Sequence, residues 1–395
     1  MERVYVEENR KTMSLVFEKQ IQGPATHAIV IGVGDYVHLP GGTGKEFEDH
    51  GGIGQLTSPP YSARAFALWL LRDYKNPSKP LASLELLISE KNAGTFKPPF
   101  ADAKRVQRAN LANVETAIRK WYDRGNTDVK HLMIFYFCGH GVGRGMITTL
   151  LLDDFGEWPA NPLEQSIDFN QFRSGMDICK ARQQCFFVDA CRKASQTLIT
   201  RYNNYTGKPI IPGSAFHSVH GRRCAPAFYS TALGERAYGF PKAPSVFTDA
   251  LLKATRGAGS DEFEDGWRVD TDTLYRGMEE YLRNAFSGKE HLEQIITVDG
   301  LMRFTLHYLS EKPRGYMAIG CKPREANSNA HLSYSHTDGS QKVERQDIQL
   351  SDWCVDIEVG HYCFSATFPN GAYNDKTNEK YVKPPFQPVR IQVTP

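Results

Sequence analysis

His131-Leu132-Met133-Ile134-Phe135-Tyr136-Phe137-Cys138-Gly139-His140-Gly141 is the stretch whose reading decides the fold. Residues 131–138 are apolar without alternation, so the strand they predict must be covered on both faces, as in a parallel sheet flanked by helices. Gly139 stops the run and a histidine between two glycines follows. A second stretch repeats the plan: Cys185-Phe186-Phe187-Val188 reads as a short buried strand, followed by Asp189-Ala190-Cys191-Arg192.

Outward from these two strands the chain alternates. Residues 27–33, His-Ala-Ile-Val-Ile-Gly-Val, form another β-branched run, and the Gly- and Pro-rich residues 34–60 read as loop. Ala63, Phe66, Ala67, Leu70 and Leu71 recur at helical spacing. A strand over 84–88 and a helix over 110–122 opened by Asn110 come next. Further along stand a helix over 168–179, a strand over 225–231, a helix begun by Ser245 and a helix over 272–285. Strands alternating with helices predict a three-layer α/β/α sandwich around a mostly parallel sheet. Beyond about residue 312 helical periodicity stops. Short alternating segments such as Trp353-Cys354-Val355-Asp356-Ile357 predict a small C-terminal all-β sandwich. The expected organisation is an N-terminal extension over 1–24, an α/β domain over 25–312 and the β-sandwich over 313–395.

Composition narrows the function classes. With 47 basic against 45 acidic residues and a formal charge of +2, the chain lacks the basic excess of a nucleic-acid binder. It has neither the apolar core of a signal peptide at its start nor the roughly 18 consecutive apolar residues of a membrane helix. Eight cysteines without a Cys-x-x-Cys pair argue against a zinc ribbon and for reduced thiols, hence a cytoplasmic setting, with no cofactor and no metal expected. Gly32-Val33-Gly34 lacks the third glycine of a dinucleotide loop. Gly44-Lys45 lacks both the first glycine and the Ser or Thr of a phosphate loop. No Gly-x-Ser-x-Gly elbow of a serine hydrolase occurs.

The chemistry sits at the two strand ends. In open α/β sheets, ligands bind beyond the carboxyl ends of the strands. If the two strands are neighbours, His140 and Cys191 emerge at one edge. A thiol beside an imidazole is an activated nucleophile, because the thiolate attacks and the histidine manages its proton. The amides of Gly141 and Cys191 are the natural oxyanion donors.

Asp189-Ala190-Cys191-Arg192-Lys193, with Gly139-His140-Gly141 about 50 residues upstream, resembles the caspase-like cysteine peptidases, in particular their bacterial and metacaspase branch. Ile29-Val30-Ile31-Gly32-Val33 is similar to that family's first strand. Phe228-Tyr229-Ser230-Thr231-Ala232 is similar to the strand lining the substrate groove, and Ser245-Val246-Phe247-Thr248-Asp249-Ala250-Leu251-Leu252 to the helix that follows. The resemblance implies an endopeptidase acting on a protein or peptide substrate with a Cys191–His140 pair. For the bacterial relatives it implies a part in defence or cell death. It also implies a substrate pocket holding Asp189 and Ser230, with Ser62 where metacaspases carry a second acid. An unpaired buried Asp189 would be costly and a basic substrate side chain would satisfy it, so cleavage after Arg or Lys is expected. The alternative is that Asp189 caps the local turn or pairs with Arg192. Lys193 and Gly139 depart from the caspase pattern, which has glycine and serine there. A catalytically silent scaffold is the competing reading, against which the presence of both reactive residues argues.

Residues 192–224 form a long polar loop where caspases are processed, and Arg201, Lys208, Arg222 and Arg223 are candidate self-cleavage sites. Asp261-Glu262-Phe263-Glu264-Asp265 is an acidic cluster read as a solvated loop, with weak calcium binding as the alternative. The C-terminal sandwich is expected to serve a regulatory partner or to position substrate.

Overall fold

The computed structural model describes every residue except 1–12, 93, 145–146, 192–197, 199, 201–205, 214–222, 232–240, 265 and 286–293. Among the described residues, seven strands build one sheet: β1 Leu15–Glu18, β2 Thr26–Val33, β3 Leu81–Ser89, β4 Leu132–Gly139, β5 Gln183–Ala190, β6 Ala227–Tyr229 and β7 Thr297–Asp299. Their order is β1-β3-β2-β4-β5-β6-β7. The five inner strands are parallel, and only the outer two run antiparallel to their neighbours.

Every residue of β2 and β4 is buried, as two-sided cover requires. Phe135 and Tyr136 show that cover directly, since successive strand residues face opposite ways. Phe135 meets Trp121 of α2 (Leu111–Gly125) and Phe172 of α3 (Phe169–Gly175), with ring centroids 6.4 and 5.2 Å away. Tyr136 stacks on Phe66 of α1 (Ser58–Arg72) at 4.7 Å, and its hydroxyl bonds Thr248 Oγ1 of α4 (Val246–Lys253) at 2.6 Å. Helices therefore cover both faces, and the layered α/β/α reading holds.

Local signals explain most boundaries. Asn110 caps α2, its side chain accepting from the Asn113 N–H at 2.9 Å, a contact worth about 1 kcal/mol. Ser245 caps α4 in the same way, accepting from the Thr248 N–H at 3.0 Å. Several boundaries differ from expectation, two of them for plain local reasons. Helix α1 starts at Ser58, because Pro59 and Pro60 fit a first turn that needs no amide donors. Strand β5 continues past Val188 to Ala190, since Asp189 and Ala190 keep pairing with Cys138 and Gly139 of β4.

The chain divides into two compact units, residues 1–249 with 294–304, and 250–293 with 305–395. The first contains the seven-stranded sheet. In the second, strands Trp353–Glu358, Arg314–Lys322 and Val389–Gln392 make one sheet, and Val343–Glu344, His331–His336, Gly360–Thr367 and Lys376–Val382 make another. Met317, Ile319, Val355 and Ile391 of the first sheet share a core with Leu332, Phe364 and Val382 of the second, as in a sandwich. This unit also contains α5 (Thr271–Ala285), whose Asn284 amide donates to the carbonyls of Tyr316 and Phe386 at 3.2 and 2.7 Å.

Candidate active site

The strand order reverses at β2: β3 lies to one side of it and β4 to the other. Such a switch point opens a crevice at the carboxyl ends of the strands. The loop after β2, carrying Tyr36, and the turn after β4, carrying His140, meet there. The His140 N–H donates to the Tyr36 hydroxyl at 2.7 Å, and the two rings lie 5.0 Å apart. The Tyr36 loop is braced from behind by Arg108, which pairs with Asp35 at 2.8 Å and with buried Asp153 at 2.7 Å.

His140 Nε2 lies 2.6 Å from the Gly54 carbonyl oxygen. A carbonyl only accepts, so Nε2 carries the proton of the neutral ring and Nδ1 is left as the acceptor. Although the residue keeps part of its surface open, desolvation of the imidazole pushes its pKa down to about 4, with the Gly54 carbonyl opposing part of that shift. The ring is therefore neutral at physiological pH.

The β4–β5 register pairs Gly139 with Ala190, so His140 and Cys191 are the next residues on adjacent strands. Cys191 is partly buried. Gly141 packs against it so closely that a Cβ there would fall 2.5 Å from the Cys191 carbonyl oxygen and 2.9 Å from Ala190 Cβ. His140, Gly141 and Cys191 thus come together at one sheet edge.

Asp189, Ser62 and Ser230 lie in a buried polar layer in that region of the unit, at 3%, 0% and 0% exposure. The expectation of an unpaired Asp189 carboxylate does not match the structure. Its Oδ2 accepts from the Ser245 hydroxyl, from Thr248 Oγ1 at 2.8 Å and from the Cys138 thiol at 3.2 Å. Burial still pushes the Asp189 pKa up, and these donors offset part of that. Ser62 accepts from the Ser245 N–H at 2.9 Å, and Ser230 donates to the Ala190 carbonyl at 3.2 Å. The motif reading missed Tyr36, Gly54, Ser245 and Thr248 as parts of this region. Ser245 was legible as a helix opener, whereas Tyr36 and Gly54 lie in a loop without periodicity.

Of the four candidate self-cleavage positions in 192–224, Arg201 and Arg222 lie outside the described residues. Lys208 is held by backbone pairing, its N–H donating to Ser166 O at 2.8 Å and its carbonyl accepting from Asp168 N at 3.0 Å. Arg223 donates through its guanidinium to the carbonyls of Met176, Ala181 and Cys179. The acidic run begins a hairpin, Asp261–Phe263 pairing with Gly266–Asp270, and residue 265 is outside the described set. Among the described residues no group of three or more His, Cys, Asp or Glu side chains could hold a metal ion, and no helix is long and apolar enough to cross a membrane.

The fold is a layered α/β unit, and the family-model comparison gives its class. Residues 72–298, more than half of the chain, match the caspase domain (peptidase C14) model, and the chain belongs to that family. It is 29% identical to the uncharacterized protein y4kE of Sinorhizobium fredii, over 64% of this chain and 72% of that one. A solved structure similar to it is caspase-1 from Spodoptera frugiperda, at 11% identity and a TM-score of 0.43, covering 79% of this chain and 99% of that one.

Proposed function

We propose that this chain is a cysteine endopeptidase in which Cys191 is the nucleophile and His140 its proton acceptor and donor. The observation that carries the reading is the His140 Nε2–Gly54 carbonyl contact, which leaves Nδ1 as the basic nitrogen on a ring one strand away from Cys191. In the proposed reaction the Cys191 thiol proton passes to Nδ1 and the thiolate forms a bond to the peptide carbonyl carbon. The amides of Gly141 and Cys191 stabilise the oxyanion. Collapse breaks the C–N bond, and the leaving amine takes the proton from the imidazolium. Water then attacks the thioester, its proton going to His140 and on to the departing sulfur, which restores the thiol and releases the acid.

The neutral ring can accept the proton at Nδ1, while the desolvation that lowers the His140 pKa weakens it as a base. Cleavage after Arg or Lys would require the substrate cation to reach Asp189 in competition with Ser245 and Thr248, which already donate to it. The test is a fluorogenic peptide library read with the natural protein and Cys191→Ala. Cleavage abolished in the variant is the expected result, and cleavage that survives it would overturn the assignment.

A further inference from the structure

His140 is gripped at two points by a single loop, residues 34–57 between β2 and α1. One grip is Tyr36, whose hydroxyl accepts from the His140 backbone N–H at 2.7 Å. The other is the Gly54 carbonyl, which accepts from Nε2 at 2.6 Å. Eighteen positions separate the two in sequence (54 minus 36), in a glycine-rich stretch with no regular hydrogen-bond ladder to fix their spacing. The Gln55 side chain ties them together. Its Oε1 accepts from the Tyr36 N–H at 2.7 Å, and its Nε2 donates to the Tyr36 carbonyl at 3.0 Å. The same Nε2 lies 3.2 Å from the Pro40 carbonyl and 3.4 Å from that of Leu39.

We propose that Gln55 is a positioning residue for His140, holding the Gly54 carbonyl and the Tyr36 hydroxyl at the separation that fixes the ring's tautomer and orientation. The inference rests on the catalytic reading above and adds a residue to it. A carboxamide suits the task because one planar group both accepts from an N–H and donates to a carbonyl of the same residue. Glutamate would lose the donations and alanine would lose both. Backbone contacts act close to both grips, Leu56 N–H donating to Gly34 O and Val37 N–H to Asp153 O, each at 2.8 Å, but neither bonds Gly54 or Tyr36 itself. Gln55 is itself exposed, whereas Tyr36, whose N–H and carbonyl it serves, is buried, so water reaches those groups only through the space that the side chain vacates. What water cannot supply is the fixed spacing.

The experiment compares the natural protein with Gln55→Ala and with Gln55→Met, which keeps the length but no polar atom. Both should melt within a few degrees of the natural protein. With a substrate from the peptide library, kcat should fall about tenfold or more with KM little changed, as expected when a catalytic group is displaced without loss of binding. Two readouts need no substrate. The rate of alkylation of Cys191 by iodoacetamide at fixed pH, followed by mass spectrometry of its peptide, should fall as the proton acceptor is displaced. The ¹⁵N shifts of His140 should lose the signature of a single Nε2–H tautomer. Variants with unaltered kcat, alkylation rate and tautomer signal would overturn the inference. Its failure is separable from that of the catalytic reading, since Cys191→Ala must still abolish cleavage if only the role of Gln55 is wrong.

Discussion

Acid should destabilise this fold through a histidine pair far from the reactive edge. His27, at the start of β2, is 7% exposed and meets the His131 ring edge-on at 4.8 Å. Its Nδ1 contacts Ser83 Oγ at 2.8 Å, while His131 Nδ1 accepts from the Ala25 N–H at 2.9 Å and its Nε2 contacts Thr127. Charge is therefore unwelcome. Burial first, then His131 and Arg124, push the His27 pKa down from 6.5 to about 3. Burial lowers that of His131 as well. In the folded state His27 stays neutral until about pH 3, whereas in the unfolded chain it binds a proton below pH 6.5. The unfolded state thus binds more protons across that window, and stability falls as the pH drops through it. Between pH 7.5 and pH 5 the His27 contribution alone comes to about 2 kcal/mol. Urea unfolding followed by tryptophan fluorescence at the two pH values measures it, with Trp121 as a near reporter because its indole N–H donates to the His27 carbonyl at 3.0 Å. His27→Gln keeps a group able to bond Ser83 and removes the titration, so it should lose about 2 kcal/mol less stability over the same interval. An equal loss in the natural protein and His27→Gln would refute the reasoning.

Two further outcomes follow from the reactive edge. Gly141→Ala would place a Cβ 2.5 Å from the Cys191 carbonyl, so β4 and β5 must part beyond their last pair. We expect peptide cleavage to drop at least about tenfold, with far-UV circular dichroism unchanged, and full activity would contradict the close approach. Asp189→Ala removes the shared acceptor of Ser245, Thr248 and Cys138. It should cost about 3 kcal/mol by urea unfolding. A variant that keeps its stability but loses cleavage after basic residues would instead assign Asp189 to substrate binding.

Much of the fold was legible because its signals are local. Unalternated apolar runs such as 131–138 and 27–33 can be buried only in a two-sided sheet, and Asn110 and Ser245 announce their helices through side chains that replace backbone acceptors. The positions of His140 and Cys191, the proposed catalytic pair, were legible for the same reason, each standing just past a strand that its own residues define. The sequence by itself therefore determined a layered α/β unit, an all-β region near the end of the chain and a histidine and a cysteine at strand ends.

Tertiary structure decided what depends on residues distant in sequence. That β4 and β5 are neighbours in parallel register brings His140 beside Cys191, and no local pattern encodes that pairing. Asp189 has donors from α4, more than 50 residues away, which is why it looked unpaired in the sequence. Tyr36, Gly54 and Gln55 lie in a glycine-rich stretch without periodicity, so their convergence on His140 has no sequence signature. The physical reason is common to all three: a hydrogen bond needs a partner at about 3 Å, and chain order says nothing about that distance until the sheet has closed.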